Sequence, residues 1–71
     1  MIDTRAMTCK VGDWVGFKSD YEQSGEIIAI DRGTYWPYTR TYVLENLNGF
    51  GGEYLRYATR TSVRAEDCWV N

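Results

Sequence analysis

The sequence predicts a single small all-β domain, a barrel of about five short antiparallel strands with a 3-10 turn before the last strand. Three observations carry that expectation. No segment sustains the 3.6-residue apolar period of an amphipathic helix. Short runs of β-branched and aromatic residues recur at close spacing. Turn-forming stretches such as Ser24-Gly25, Asp31-Arg32-Gly33 and Asn48-Gly49 separate them.

The 71 residues amount to one domain, and a chain of this size buries only ~60% of the surface that its unfolded form exposes. Apolar residues make up 44% of it, and three Trp and six Tyr are among them, so a core can be built from a few large rings. That composition excludes a disordered chain. The formal charge of −2 argues against a strongly basic nucleic-acid binder. No apolar run approaches 18 residues, so no membrane partner is expected. The first residues lack the apolar stretch of a signal peptide, and the cytoplasm is the expected compartment. Cys9 and Cys68 read as reduced thiols there; the alternative, a disulfide, would close a long loop and add roughly 4 kcal/mol. With no histidine in the chain, the thiols alone do not complete a zinc site, and no metal or cofactor is implied.

Residues 1–10 are polar and aperiodic and read as a flexible leader, leaving 11–71 as the domain. In Val11–Lys18, the spacing puts Val11, Val15 and Phe17 on one face of a first strand and Trp14 and Lys18 on the other. Residues 19–25 read as a polar loop, and Glu26–Ile30 as a β-branched second strand. Pro37 fixes its own φ and restricts Trp36 to extended backbone, so residues 34–40 read as a loop carrying Tyr35, Trp36 and Tyr38. Thr41–Leu47 is a third strand with apolar residues on both faces, which leaves its inward face open. Asn48-Gly49 signals a tight hairpin, with Phe50 at its tip and Glu53–Tyr57 returning as the fourth strand. Residues 59–62 are polar, residues 63–68 suit one short helical or 3-10 turn, and Trp69-Val70 closes the domain.

This order of parts resembles the SH3-like barrels of the KOW-like and Tudor-like kind. Val11-Gly12-Asp13-Trp14-Val15 and Gly25-Glu26-Ile27 resemble their opening, Asn48-Gly49 resembles their turn between strands three and four, and Val63–Val70 resembles their closing 3-10 turn and last strand. The resemblance spans residues 11–71 and implies a fold that hosts many unrelated tasks. An OB-like barrel is the alternative. Small plasmid-encoded dihydrofolate reductases are also SH3-like barrels and act as tetramers through a late Val-Gln-Ile-Tyr stretch. Here that region reads Glu53-Tyr54-Leu55-Arg56-Tyr57, and the departure speaks against a reductase-like enzyme.

The chain offers little for catalysis. Without histidine there is no Ser-His-Asp or Cys-His pair. Glu66 and Asp67 beside Cys68 blunt its thiol, and Gly49–Gly52 lacks the Lys-Ser/Thr ending of a phosphate loop. The charge distribution is more informative. Residues 1–31 hold six acids and three bases, whereas residues 32–64 hold five arginines against two glutamates. The same basic stretch carries Tyr35, Trp36, Tyr38, Tyr42, Phe50, Tyr54 and Tyr57.

Arginine among exposed aromatics is the composition of a protein-interface hot spot. The reading that follows is a non-enzymatic module recognising another protein through Trp14, Tyr35, Trp36, Tyr38, Arg40, Phe50 and Arg56. Tyr54, Tyr57, Trp69 and Phe17 are assigned to the core. RNA or single-stranded DNA is the alternative partner, with rings stacking on bases. A cage for a methylated cation walled by Trp14 and Trp36 is a further one. A homodimer through the aromatic loop is compatible with either partner. A short chain beginning at Met1, with no second domain, fits an accessory or inhibitor protein of a phage or mobile element.

Overall fold

The structure is a computed structural model that describes residues 4–31 and 40–70. Among the described residues, five antiparallel strands form one sheet in the order β4-β3-β2-β1-β5. They are β1 (Trp14–Ser19), β2 (Tyr21–Asp31), β3 (Thr41–Glu45), β4 (Arg60–Arg64) and β5 (Cys68–Val70). A 3-10 turn (Ala65–Asp67) precedes β5, as expected, and one α-helical turn, α1 (Gly52–Leu55), lies between β3 and β4. Among the described residues, no helix is long and apolar enough to cross a membrane.

The alternation read in the first strand places its side chains correctly. Val15 and Phe17 are buried, while Trp14 and Lys18 are exposed. Val11 lies ahead of the strand and is exposed too. The polar residues 21–24 are strand and not loop: β1 turns at Asp20 straight into β2, with Ser19 opposite Tyr21 and Gln23 opposite Phe17. Asp20 takes φ 62°, a left-handed conformation that Asp tolerates better than most residues. The first half of β2 pairs with β1 and the second with β3. The register slips between Ile27 and Ala29, and a bulge of this kind bends a strand. One long strand thereby serves both halves of the sheet.

The inward face of β3, open in the sequence, is that of Tyr42 and Leu44. They join Val15, Phe17, Ile27 and Phe50 in the core. Phe17 and Phe50 meet edge to face, with centroids 5.4 Å apart and ring planes at 74°, an arrangement that the ring quadrupoles favour.

The leader reading of residues 1–10 does not describe residues 4–10. Thr4–Thr8 forms a 3-10 turn, and Ala6 and Cys9 are buried in the core. Two side chains, one from the residue before β3 and one from within it, hold this turn down. Arg40 donates to the Met7 carbonyl at 2.7 Å, and the Tyr42 hydroxyl donates to the Ala6 carbonyl. A small residue such as Ala6 carries no periodic signal, so the anchoring is invisible without its distant partners. Arg40, expected on the binding surface, is buried in this role.

Candidate recognition surface around the β3–β4 connection

The connection from β3 to β4 runs over residues 46–59, longer than the two-residue hairpin that Asn48-Gly49 signals. The turn itself forms: the Asn46 carboxamide oxygen accepts from the Asn48 amide, and the Asn46 carbonyl from the Gly49 amide. The chain then does not return as a strand. Gly52 takes φ 84°, and α1 follows in place of the expected strand 53–57. Phe50 is thereby drawn into the core and is not a surface residue.

The outer side of this connection is aromatic. Tyr54 and Tyr57 are 83% and 85% exposed, Leu47 is 81% exposed and Tyr21 on the adjoining strand is 54% exposed. The assignment of Tyr54 and Tyr57 to the core is therefore corrected. A strand would have turned alternate residues inward, whereas the helical turn leaves Leu55 as the partly buried residue against the core. Trp69 is half-buried. Tyr21, Gly51, Gly52, Glu53, Arg56 and Tyr57 line a shallow groove of about 570 Å³.

Polar side chains position this surface, and two of them, Asp20 and Gln23, come from residues that the sequence reads as a loop. The Asp20 carboxylate accepts from the Glu53 amide at 2.7 Å and the Tyr54 amide at 3.3 Å, satisfying donors that a helix start leaves unpaired. The Gln23 carboxamide clamps Gly51 from both sides, accepting from its amide at 2.7 Å and donating to its carbonyl at 3.3 Å. Asn46 donates to the Ser24 carbonyl at 3.1 Å. The only advance signal for these anchors is a cluster of Asp, Gln and Asn side chains able to bond backbone. Replacing Asp20 with Ala is expected to cost about 1 kcal/mol and to speed amide exchange at Glu53 and Tyr54, as measured by NMR. An unchanged exchange rate at both amides would deny the anchor.

Backbone conformation marks the same place. Arg56 and Tyr57 both have positive φ, 48° and 69°. Each such non-glycine residue costs on the order of 1 kcal/mol and persists where surrounding bonds enforce it. Here they do: the Arg56 amide donates to Gly52, that of Tyr57 to Phe50 and that of Ala58 to Leu55.

Among the described residues, Trp14 and Arg40 do not converge on this surface. Trp14 is 49% exposed but lines a separate groove with Arg5, Thr8, Cys9, Asp13 and Val70. Tyr35, Trp36 and Tyr38 lie outside the described residues, and with them the cage of Trp14 and Trp36. Among the described residues, the arginines of the basic stretch are dispersed. Arg40 is buried, Arg60 pairs with Glu45 at 2.9 Å, and Arg64 pairs with Glu66 at 3.1 Å and Asp67 at 3.0 Å. Arg56 is exposed on the aromatic ridge.

Both cysteines are buried, and no disulfide joins them. Burial first, then the negative charge of Asp67 and of Cys9, pushes the Cys68 thiol up to about 12 from its ordinary 9.0. A thiol held protonated is a poor nucleophile. Its contribution to stability is fully present below pH 9 and is lost between pH 9 and about 12, where the unfolded chain ionises first. The raised Tyr42 hydroxyl, buried against the opposing pull of Arg40, acts in the same direction. Native Cys68 is expected to resist iodoacetamide at pH 8 and to react on denaturation, read by mass spectrometry. Rapid native labelling would contradict this burial.

Comparison of the chain with known protein families, with curated proteins and with solved structures found no match.

Proposed function

We propose that this chain is a non-enzymatic, SH3-like binding module that recognises a partner protein through the ridge of Tyr54, Arg56 and Tyr57, with Tyr21 and Leu47 at its margins. The meander order of the strands and the 3-10 turn before β5 support the fold assignment. One observation carries the function: large aromatic side chains stand exposed on a strained and well-anchored turn. Tyrosine and arginine supply most hot-spot energy at protein interfaces. Backbone strain retained at an exposed aromatic cluster is a feature of functional sites.

Charge favours a protein over a nucleic acid. Among the described residues, Arg60 and Arg64 lie on β4 beside the acids Glu45, Glu66 and Asp67, and Arg40 is buried, so no basic track accompanies the ridge. Single-stranded nucleic acid, titrated at low and moderate salt, is expected to leave the Trp fluorescence unchanged at micromolar concentration. Saturable quenching that weakens with salt would replace the protein reading with the nucleic-acid one.

Tyr57→Gly separates function from folding. Glycine takes positive φ freely, so stability is expected to hold or to rise by about 0.5 kcal/mol. Partner affinity is expected to fall by at least tenfold, about 1.4 kcal/mol. Unchanged affinity in a folded variant would remove Tyr57 from the interface.

A further inference from the structure

The β4 strand lies at one edge of the sheet, and its ladder with β3 shows which way its backbone points. The Asn46 amide donates to the Thr59 carbonyl at one end, and the Ala65 amide donates to the Arg40 carbonyl at the other. The register between them is unbroken. Hydrogen-bonded pairs recur at every second residue of an antiparallel ladder, so Thr61 and Val63 face β3. Arg60, Ser62 and Arg64 therefore turn their amides and carbonyls outward. The Arg64 carbonyl is taken by the Cys68 thiol. Among the described residues, nothing pairs with Ser62 on its outer side.

That side opens on a groove of about 430 Å³, distinct from the one beside Tyr21, lined by Phe17, Lys18, Tyr54, Leu55, Ser62 and Val63 among others. Across it, β1 runs past its partner: β5 pairs with Val15–Phe17 and stops short of Lys18 and Ser19. The groove is thus a seam between two strand edges, with Phe17, Leu55 and Val63 supplying apolar walls.

We propose that this seam takes an extended segment of a partner protein as an added strand on β4. The segment carries acidic residues opposite Arg60 and Arg64 and apolar residues opposite Thr61 and Val63. Backbone pairing with Ser62 supplies the docking bonds, and alternate side chains supply selectivity. The outward side chains of β4 set the charge preference. Arg60 and Arg64 flank Ser62 on the exposed face; Arg60 pairs with Glu45, and Arg64 with Glu66 and Asp67, but these pairs are exposed at the arginine end and so are weakly held and open to exchange for a partner's carboxylates. A second copy of the chain fits poorly. Antiparallel pairing of β4 with itself about Ser62 sets Arg60 of one copy opposite Arg64 of the other, and like charges directly across a ladder repel. Charged residues on an edge are a known guard against such self-pairing. The proposal goes beyond the ridge reading, with which it shares Tyr54.

The test is an NMR titration of the isotopically labelled full chain with the capped peptide Thr-Glu-Val-Ser-Val-Glu-Thr. Saturable shifts are expected at Arg60–Arg64 and Lys18, with slowed exchange of the Ser62 amide. N-methylation of the central peptide serine, or replacement of both glutamates by lysine, is expected to weaken binding at least tenfold. Ser62→Pro removes the outward amide and leaves the β3 ladder intact. If that variant does not fold, the N-methylated peptide applies the same test to the unaltered protein. No shifts at millimolar peptide, or equal binding of the lysine peptide, would overturn the proposal. Shifts confined to Tyr21 and Tyr54–Tyr57 would also overturn it while leaving the ridge reading standing.

Discussion

Phe50→Ala is expected to lower stability by about 3–5 kcal/mol, the usual cost of emptying a buried aromatic site. Small domains have total stabilities of only about 5–15 kcal/mol, so much of the margin goes with one side chain. Phe50 is fully enclosed and meets Phe17 edge to face. It is also the inner end of the β3–β4 connection: its amide donates to Ala58 and its carbonyl accepts from Tyr57. Losing the ring therefore loosens the support of the exposed tyrosines as well as the core. Urea denaturation followed by circular dichroism gives the stability. A loss below about 0.5 kcal/mol, the range of surface substitutions, would return Phe50 to the surface position that the Asn48-Gly49 signal implied.

Arg40→Ala is expected to cost about 2–4 kcal/mol, combining a lost charged hydrogen bond with the packing of a buried side-chain stem. The Met7 carbonyl would lose its partner, and the pull of Arg40 on the Tyr42 hydroxyl would go with it. The consequence is local. Amides from Ala6 to Lys10 are expected to exchange faster, while those of α1 keep their rates. A uniform acceleration across the chain would mean that Arg40 supports the whole sheet and not the N-terminal turn.

These two residues also show where a sequence is readable and where it is not. Alternation in β1 placed Val15 and Phe17 inside and Trp14 outside, because a strand imposes a period of two on whatever lies beneath it. The 3-10 turn before β5 was legible for a similarly local reason. Arg40 and Phe50 were assigned to the binding surface because charge and proximity to a turn usually mean exposure. Each is buried through partners far along the chain: Met7 for Arg40, and Phe17 for Phe50. The polar run Tyr21–Ser24 misled in the opposite direction. Its Gln23 side chain is spent on Gly51, so polarity there reflects anchoring and not a loop.

The proposed recognition surface was half legible. Arg56 stands where an exposed arginine was expected, but its neighbours Tyr54 and Tyr57 were assigned to the core. A return strand would have buried one face of 53–57. The glycines at 51 and 52 instead allow a reversal into α1, and Arg56 and Tyr57 then adopt left-handed backbone. Nothing in the residue types announces consecutive left-handed conformations at Arg and Tyr, since both residues are strained there.

The most direct test of the partner-binding account is site-specific photo-crosslinking in cells that make the protein. A benzophenone side chain replaces Tyr57 in one variant and Lys10, which is exposed and does not line the groove beside the ridge, in another. One defined protein adduct from position 57 and none from position 10 is the expected result. Adducts equal at both positions, or nucleic acid in place of protein at position 57, would contradict the assignment of the Tyr54–Tyr57 ridge as a protein-recognition surface.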